Sequence, residues 1–522
     1  MNKKYKLFKN FYRDSVTLMQ MSSRVSALDG VEMASALMAT PANMQMMIDA
    51  GLLESTLADA APNDLVLVVK AQSGQLDHAI EEFERIINEG SASARKNEER
   101  EPAKSLSEAL ANDPDATLAL ISVPGEYAGA EAMKALRRGL NVMIFSDNVS
   151  EAQEIALKQY ATEHGLLVMG PDCGTAIIAG APLAFANVVN RGKIGVVGAS
   201  GTGTQEVTSI IDQQGEGISH AIGTGGHDLS ANVGGLTMIA ALKMLIDDQD
   251  TEVIVLVSKP PAPEISQKVL AVATSTTKPV VVCFLGAPQG SIQGHNLSMA
   301  NTLEAAAQKA VALVRSQPAD FSSQTLNSPE VKERAAQIAK NLAPQQRYIR
   351  GLYSGGTFCY EALLNLQHVL PELFSNIPTG AVKKLTNNYQ SQGNTVIDLG
   401  DDNFTRGKPH PMIDPSQRNE RLLKEAADPQ TATILFDVVL GYGANPDPAG
   451  EIANTVTQAQ EIAARDGRKI IFIGFICGTD KDPQNLGDQY RKLQAAGVEL
   501  CNSNAQAIAL AGAVMSQLKK DA

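Results

Sequence analysis

Short apolar runs rich in Val, Ile and Leu recur along the chain, each bounded by Gly, Pro, Asn, Asp or charged residues. DLVLVV (64–69), TLALISV (117–123), LNVMIF (140–145), GLLVMG (165–170) and KIGVVG (193–198) have the length and β-branched content of strands. EVIVLVS (252–258), PVVVCFL (279–285), TVIDLG (395–400), TILFDVVL (433–440) and KIIFIGF (469–475) continue the series. Between them lie segments with helical spacing, such as GLTMIAALKMLI (235–246) and EIANTVTQAQEIAARDG (451–467). Strand–helix alternation of this kind predicts parallel βαβ units and doubly wound sheets, an α/β fold.

Two polar stretches break the pattern. Residues 90–105 (GSASARKNEEREPAKS) are charged and aperiodic, and residues 316–346 mix Ser, Gln and Pro around one short helix. They divide the chain into an N-terminal part of about 1–90, a central part of about 106–315 and a C-terminal part of about 347–522. The central part divides again near Gly192, where the chain re-enters a strand. An internal repeat links the last two parts. GASGTGTQE (198–206) parallels YSGGTFCYE (353–361), and DDQDTEVIVLVSKPP (247–261) parallels ADPQTATILFDVVLG (427–441). KPVVVCFLG (278–286) then parallels RKIIFIGFICG (468–478). Three matches in one order predict two homologous α/β domains.

Composition narrows the class. At roughly 150 residues per domain, 522 residues suggest three or four domains, and 44% hydrophobic against 19% charged residues favours packed cores over disorder. Trp is absent and aromatics are 4%, which favours α/β layers over a β-sandwich. A net charge of −13 disfavours nucleic acid as a main partner. No segment has the run of about 18 apolar residues expected of a membrane span. The basic start MNKKYKLFKNFYRDS lacks the apolar stretch of a secretory signal. Cys173, Cys283, Cys359, Cys477 and Cys501 are scattered, as in a reducing cytoplasm, and form no zinc pattern.

The strongest chemical signal is the repeated glycine-rich turn from strand to helix. Ser200, Gly201, Thr202 and Gly203 open one helix, and Ser354, Gly355, Gly356 and Thr357 open the other. A helix start leaves N–H groups unserved and carries about half a positive charge. Glycine admits an anion to those donors, and Ser or Thr adds hydroxyls. Each turn alone is equally an N-cap with packing glycines; as a pair they predict two helix starts converging on one phosphate.

Other loops carry candidates with open alternatives. In GTGGHDL (223–229), Gly225, Gly226, His227 and Asp228 either bind substrate or form an Asx-type turn. Lys259 follows a strand at the carboxyl end of its sheet, where ligands of such folds bind. GDDNFTRGKPHPMIDP (400–415) gathers Asp401, Asp402, Arg406, Lys408, His410 and Asp414. Its paired aspartates hold Mg²⁺, orient a substrate amine, cap a turn or bind Arg406. GTDKDPQ (478–484) has the same ambiguity. The cysteines read as small core thiols, and no GxSxG elbow supports Ser-His-Asp chemistry.

Taken together, LISVPGEYAGAEA, FSDNVS, MGPDCGTAI, GKIGVVGASGTGTQEV, GTGGHDL, VSKPPA, GDDNFTRGKPHPMIDP and GTDKDPQ resemble the FdrA family of acyl-CoA synthetase-like proteins. That family is similar to the nucleoside-diphosphate-forming succinyl-CoA synthetases, with the α subunit fused to the carboxyl-terminal ligase domain of the β subunit. The resemblance implies a small α/β N-terminal domain (1–90), a Rossmann-like CoA-binding-type domain (106–190) and two flavodoxin-like ligase-type domains (191–315 and 347–522). It places a phosphate at Ser200, Gly201 and Thr202 and at Gly355, Gly356 and Thr357. His295 echoes the synthetase phosphohistidine loop, and Lys259 falls where the synthetases carry a supporting glutamate.

No segment resembles an ATP-grasp domain, and AQSGQLDHA (71–79) is a poor substitute for a CoA-binding glycine loop. Relatives of the family resemble components of a carbamoyltransferase that converts carbamoyl phosphate and oxamate to oxalurate and phosphate, with other protein subunits as partners. The leading expectation is therefore a carbamoyl- or acyl-phosphate-using transferase subunit, with Lys259 neutralising phosphate and Asp401, Asp402 and His410 handling the acceptor. The alternatives are a CoA ligase subunit and a non-catalytic ligand-binding subunit. CoA and Mg²⁺ are the cofactors to test, and a phosphate ester or acyl phosphate is the expected small-molecule partner.

Overall fold

The computed structural model describes residues 2–13, 15–55, 57, 59–72, 74–95, 103–318, 328–405 and 408–518. The chain forms two compact units. Unit 1 comprises Met1–Leu166 with Asp402–Asp414, and unit 2 comprises Leu167–Asp401 with Pro415–Ala522.

Unit 1 opens with β1 (Asn2–Phe8), α1 (Ser15–Ser26), β2 (Val31–Met38), α2 (Pro41–Asp49), β3 (Leu65–Ala71) and α3 (Leu76–Arg95). The strands make an antiparallel sheet in the order β1-β3-β2. The apolar run of β3 serves both faces with a period of two. Leu65, Leu67 and Val69 pack with Leu18, Val25 and Phe83 on one side, while Val66 and Val68 pack with Met44 and Met47 on the other. Next come α4 (Leu106–Asn112), β4 (Leu118–Ile121), α5 (Gly125–Leu136), β5 (Asn141–Ile144) and α6 (Glu151–Glu163), with β4 and β5 paired in parallel.

Unit 2 holds the repeat. Its first half runs β6 (Val168–Met169), β7 (Thr175–Ile178), β8 (Ala181–Ala184), β9 (Arg191–Gly198), α7 (Gly201–Gln213), β10 (Ile218–Gly223) and α8 (Leu236–Asp247). It continues with β11 (Val253–Ser258), α9 (Pro263–Ala273), β12 (Val280–Phe284), β13 (Leu297–Met299) and α10 (Leu303–Val314). After α11 (Pro329–Ala339) the second half runs β14 (Tyr348–Tyr353), α12 (Gly356–Leu366), β15 (Leu373–Ser375), β16 (Lys383–Lys384) and β17 (Asn394–Asp398). A short helix of unit 1, α13 (Asp402–Thr405), interrupts the second half. The chain then completes unit 2 with α14 (Ser416–Ala427), β18 (Thr431–Val439), α15 (Pro448–Ala464), β19 (Ile471–Cys477), α16 (Leu486–Ala495), β20 (Glu499–Cys501) and α17 (Asn504–Leu518).

Each half has a seven-stranded sheet, ordered β13-β12-β11-β9-β10-β7-β8 and β16-β15-β17-β14-β18-β19-β20. The common core reads β10-β9-β11-β12-β13 and β17-β14-β18-β19-β20, parallel throughout. That is the flavodoxin-like 2-1-3-4-5 order. The matching segments of the sequence repeat occupy matching strands, β9 with β14, β11 with β18 and β12 with β19. The α/β fold class expected from the sequence is the one observed. The first sheet adds the antiparallel hairpin β7–β8, which the continuous apolar runs do not announce.

In a 2-1-3-4-5 sheet the strand order reverses beside the first strand, and ligands bind outside the carboxyl ends there. In unit 2 those ends are Gly198–Ser200 after β9 and Tyr353–Gly355 after β14. Both are the glycine-rich turns.

Candidate functional site

The two turns meet. Ser200 is the N-cap of α7, and its hydroxyl accepts the N–H of Gly203 at 3.0 Å. The same oxygen lies 2.6 Å from the Thr357 hydroxyl in the first turn of α12. The contact continues on both sides. A Cβ on Gly203 would sit 3.1 Å from Thr357 Cγ2, and one on Gly355 would sit 3.0 Å from Thr202 Cγ2. Gly355 caps α12 without a side chain to accept from its N–H groups. The N–H groups of Gly201, Thr202, Gly356, Thr357 and Phe358 have no hydrogen-bond partner among the described residues. Two helix dipoles and these donors therefore converge where both sheets have their switch points.

The α12 turn is held from below by residues the sequence pattern does not single out. Asp437, fully buried in β18, accepts the N–H groups of Ser354 at 2.8 Å and Gly355 at 2.9 Å. Arg418 of α14, also buried, donates to the Ser354 hydroxyl at 2.6 Å and to the Asp437 carbonyl at 2.7 Å. Asp398 ends β17, and a Cβ on Gly356 would come within 2.6 Å of its Oδ2. Only an unsubstituted backbone lets the helix start approach that carboxylate. Burial pushes the Asp398 carboxyl up to about 7, against the pull of the Lys259 charge and an N–H bond from Gly400. A group that exchanges its proton near neutral pH thus lies beside the free N–H groups. Lys259 follows β11 on the exposed surface, its ammonium 5.4 Å from the Tyr360 ring centre.

One turn further along the paired helices, Glu206 of α7 and Glu361 of α12 occupy matching positions of the repeat. Both are fully buried. Asn504, at the start of α17, donates its N–H to Glu206 Oε1 and its amide to Glu361 Oε2, each at 2.8 Å. Burial raises Glu206 well above the usual carboxylate range, with the Glu361 charge adding to it, and raises Glu361 to about 7.

The remaining candidates are distributed as follows. Gly225, at φ +84°, packs under Pro171, and Gly226 and His227 are exposed. Asp228 is buried, with both carboxylate oxygens taken by the Thr237 and Met238 N–H groups at the start of α8. His295 lies exposed between β12 and β13. Asp401 belongs to unit 2, whereas Asp402 and His410 belong to unit 1. Burial lowers His410 to about 4, so its imidazole is neutral at pH 7. Arg406 lies outside the described residues. Asp482 of GTDKDPQ accepts bonds from Thr479, Val188 and Asn187 and ties a turn. All five cysteines are free and buried, and burial raises the Cys283, Cys359 and Cys477 thiols well above their usual range. Low-pKa thiol chemistry is therefore unsupported at those three positions.

Comparison with known proteins agrees with this architecture. The CoA-ligase family profile matches residues 352–514, a CoA binding domain profile matches 189–286, and a profile described as "AllF, heavy metal-associated domain" matches 1–104. The 189–286 match overlaps the segment expected as the first ligase-type domain. The protein described as "Uncharacterized protein YahF" from Escherichia coli (strain K12) is 45% identical over 496 residues, 95% of each chain. The succinate–CoA ligase [ADP-forming] subunit alpha of Staphylococcus aureus (strain Mu50) is 27% identical over 201 residues, 37% of this chain and 65% of that subunit. Among solved structures, PH0766 from Pyrococcus horikoshii OT3 aligns over 80% of this chain and 87% of its own, at 16% identity and a TM-score of 0.35.

The N-terminal profile's name implies a metal, and the donors do not fit one. Residues 1–104 contain no Cys and a single His, His78. No group of three His, Cys, Asp or Glu able to hold a metal occurs among the described residues. No helix among them is long and apolar enough to cross a membrane. With succinyl-CoA-synthetase-like CoA-binding and ligase domains behind an AllF-type N-terminal domain, and that identity over nearly its whole length, the chain belongs to the family of Escherichia coli YahF.

Proposed function

We propose that the chain is the acyl-phosphate-handling subunit of a nucleoside-diphosphate-forming acyl-CoA ligase, with phosphate held at the paired starts of α7 and α12. The observation that carries this is the 2.6 Å meeting of the Ser200 and Thr357 hydroxyls among unserved N–H groups. In the reaction the CoA thiol sulfur attacks the acyl carbon, the bond from that carbon to the phosphate oxygen breaks, and its electron pair leaves with phosphate. Fixed N–H donors and helix dipoles at the leaving oxygens stabilise the charge that grows there. Asp398, poised near neutral pH, accepts the thiol proton. The CoA-ligase and CoA-binding matches support CoA as the acceptor. Membership of the FdrA group, and a requirement for further subunits, rest on the motifs that resemble it.

A second reading keeps the same phosphate site and changes the acceptor. Lys259 is a cation near Asp398 where the synthetases are expected to carry a glutamate, and a cation there favours a free acyl phosphate over a phosphohistidine. Carbamoyl phosphate would then be attacked at its carbamoyl carbon by the amide nitrogen of oxamate, releasing phosphate and the amide proton. Phosphate release from acetyl or succinyl phosphate with CoA, against release from carbamoyl phosphate with oxamate, separates the two. Full turnover by His295→Ala would rule out a phosphohistidine at that position. Unchanged phosphate binding in Thr357→Val and Gly356→Val would overturn both readings.

A further inference from the structure

We infer that unit 1 carries a ligand site of its own, a pocket for a small organic monocarboxylate. A cavity of about 300 Å³, open on one side, is lined by described residues that all belong to unit 1. Its walls are β2 with the start of α2, the turns that follow β4 and β5, and the residues Thr405, Lys408 and Pro409. This volume is at the lower end of the range for small-molecule sites and exceeds what an inorganic ion fills.

The polar groups facing the cavity fall into two sets. Ser22, Thr40 and Ser146 are engaged by the protein: Ser22 with Leu18 and Ala36, Thr40 with the Asn43 N–H, and Ser146 with the Val123 carbonyl. A second set has no such partner. Ser35, on β2, is 5% exposed, and its hydroxyl has no hydrogen-bond partner among the described residues. The same holds for the Ser122 hydroxyl and for the N–H groups of Gly125 and Glu126, which start α5 behind an N-cap, Pro124, that offers no side-chain bond. Lys408 makes no ion pair among the described residues. Gly125 is required for this shape: a Cβ there would sit 2.1 Å from the Asp147 carbonyl oxygen, so glycine lets the turn after β5 close on the helix start.

What remains unserved is chiefly a set of donors that open onto the cavity, where an acceptor on a ligand can replace the water that otherwise meets them. Four charged side chains line the cavity: Glu126 and Asp147 offset Arg13 and Lys408, which disfavours a dianion and leaves a singly charged carboxylate as the better match. Leu18, Met19, Met38 and Met46 form an apolar wall for the organic remainder. The domain whose family name implies a metal thus uses its sheet to wall an organic-acid pocket.

The test is calorimetric titration of the full chain with glycolate, lactate and butyrate, and with inorganic phosphate as a control. At least one monocarboxylate is expected to bind. Ser35→Val and Lys408→Ala should each weaken it about tenfold or more, the scale of one lost hydrogen bond to a charged group. Ser200→Ala, in unit 2, should leave it unchanged. If Ser35→Val does not fold, the surface variant Lys408→Ala decides alone. Absence of binding by all three acids at millimolar concentration overturns the proposal. So does binding that is lost in Ser200→Ala and kept in Lys408→Ala, or Lys408-dependent binding of phosphate alone.

Discussion

Replacing Asp437 by Asn isolates what holds the candidate phosphate site in place. The substitution keeps the size of a fully buried side chain in β18 and removes its charge. Asp437 Oδ1 takes the Ser354 N–H at 2.8 Å and the Ser354 hydroxyl at 3.1 Å, and Oδ2 takes the Gly355 N–H at 2.9 Å. An amide can satisfy only one side of that arrangement, because its NH₂ must face another donor. Arg418, 2% exposed, would lose the acid it pairs with among the described residues. Removing one partner of a buried ion pair costs about 3–5 kcal/mol, two to three and a half decades in the folding equilibrium at about 1.4 kcal/mol per decade. The loss should appear in urea unfolding as a lower midpoint at unchanged slope. Because Ser354 and Gly355 form the turn ahead of α12, phosphate affinity should fall as well. A loss below about 1 kcal/mol with phosphate affinity unchanged would refute the reasoning, since that is the range of an exposed pair.

Further outcomes follow from the same contacts. Gly356→Ala places a methyl 2.6 Å from Asp398 Oδ2; a destabilisation of about 1–3 kcal/mol and a clear loss of phosphate binding are expected by calorimetry. Glu361 is raised from 4.5 to about 7, so the folded chain keeps a proton that the unfolded chain releases. Stability should therefore decline as pH rises through that interval and level off above it, and Glu361→Gln should flatten the decline in urea titrations at successive pH values. The five buried thiols should resist a thiol-reactive disulfide reagent in the native protein and react together in urea.

Much of unit 2 was readable because its central strands are buried on both faces and so appear as unbroken apolar runs. The repeat was readable because Ser200–Gly203 and Ser354–Thr357 must keep small residues where two helix starts touch. The supports of those turns were not. Asp398 and Asp437 are single acids in strands, and their importance arises from neighbours far along the chain, 83 residues away in the case of Ser354. Arg418 sits in the charged segment SQRNERLLKEAA, which reads as a solvated face yet is buried by the sheet beneath it. Within the 400–415 cluster the boundary between units falls between Asp401 and Asp402, which the sequence does not mark. Asp228 accepts the N–H groups at the start of α8, one of the two roles its sequence context allows.

Asn504 has a bearing on how the protein is made. It reaches back across 298 residues to Glu206 and also holds Glu361. At synthesis rates of about 5–20 residues per second, that separation takes roughly 15–60 seconds to translate. Throughout that time the nascent α7 lacks the amide that Glu206 later accepts from. The pair of buried acids that joins the two halves of the repeat is thus complete only once the last helix, α17, has been made, and slow translation between these points lengthens the time before it can close.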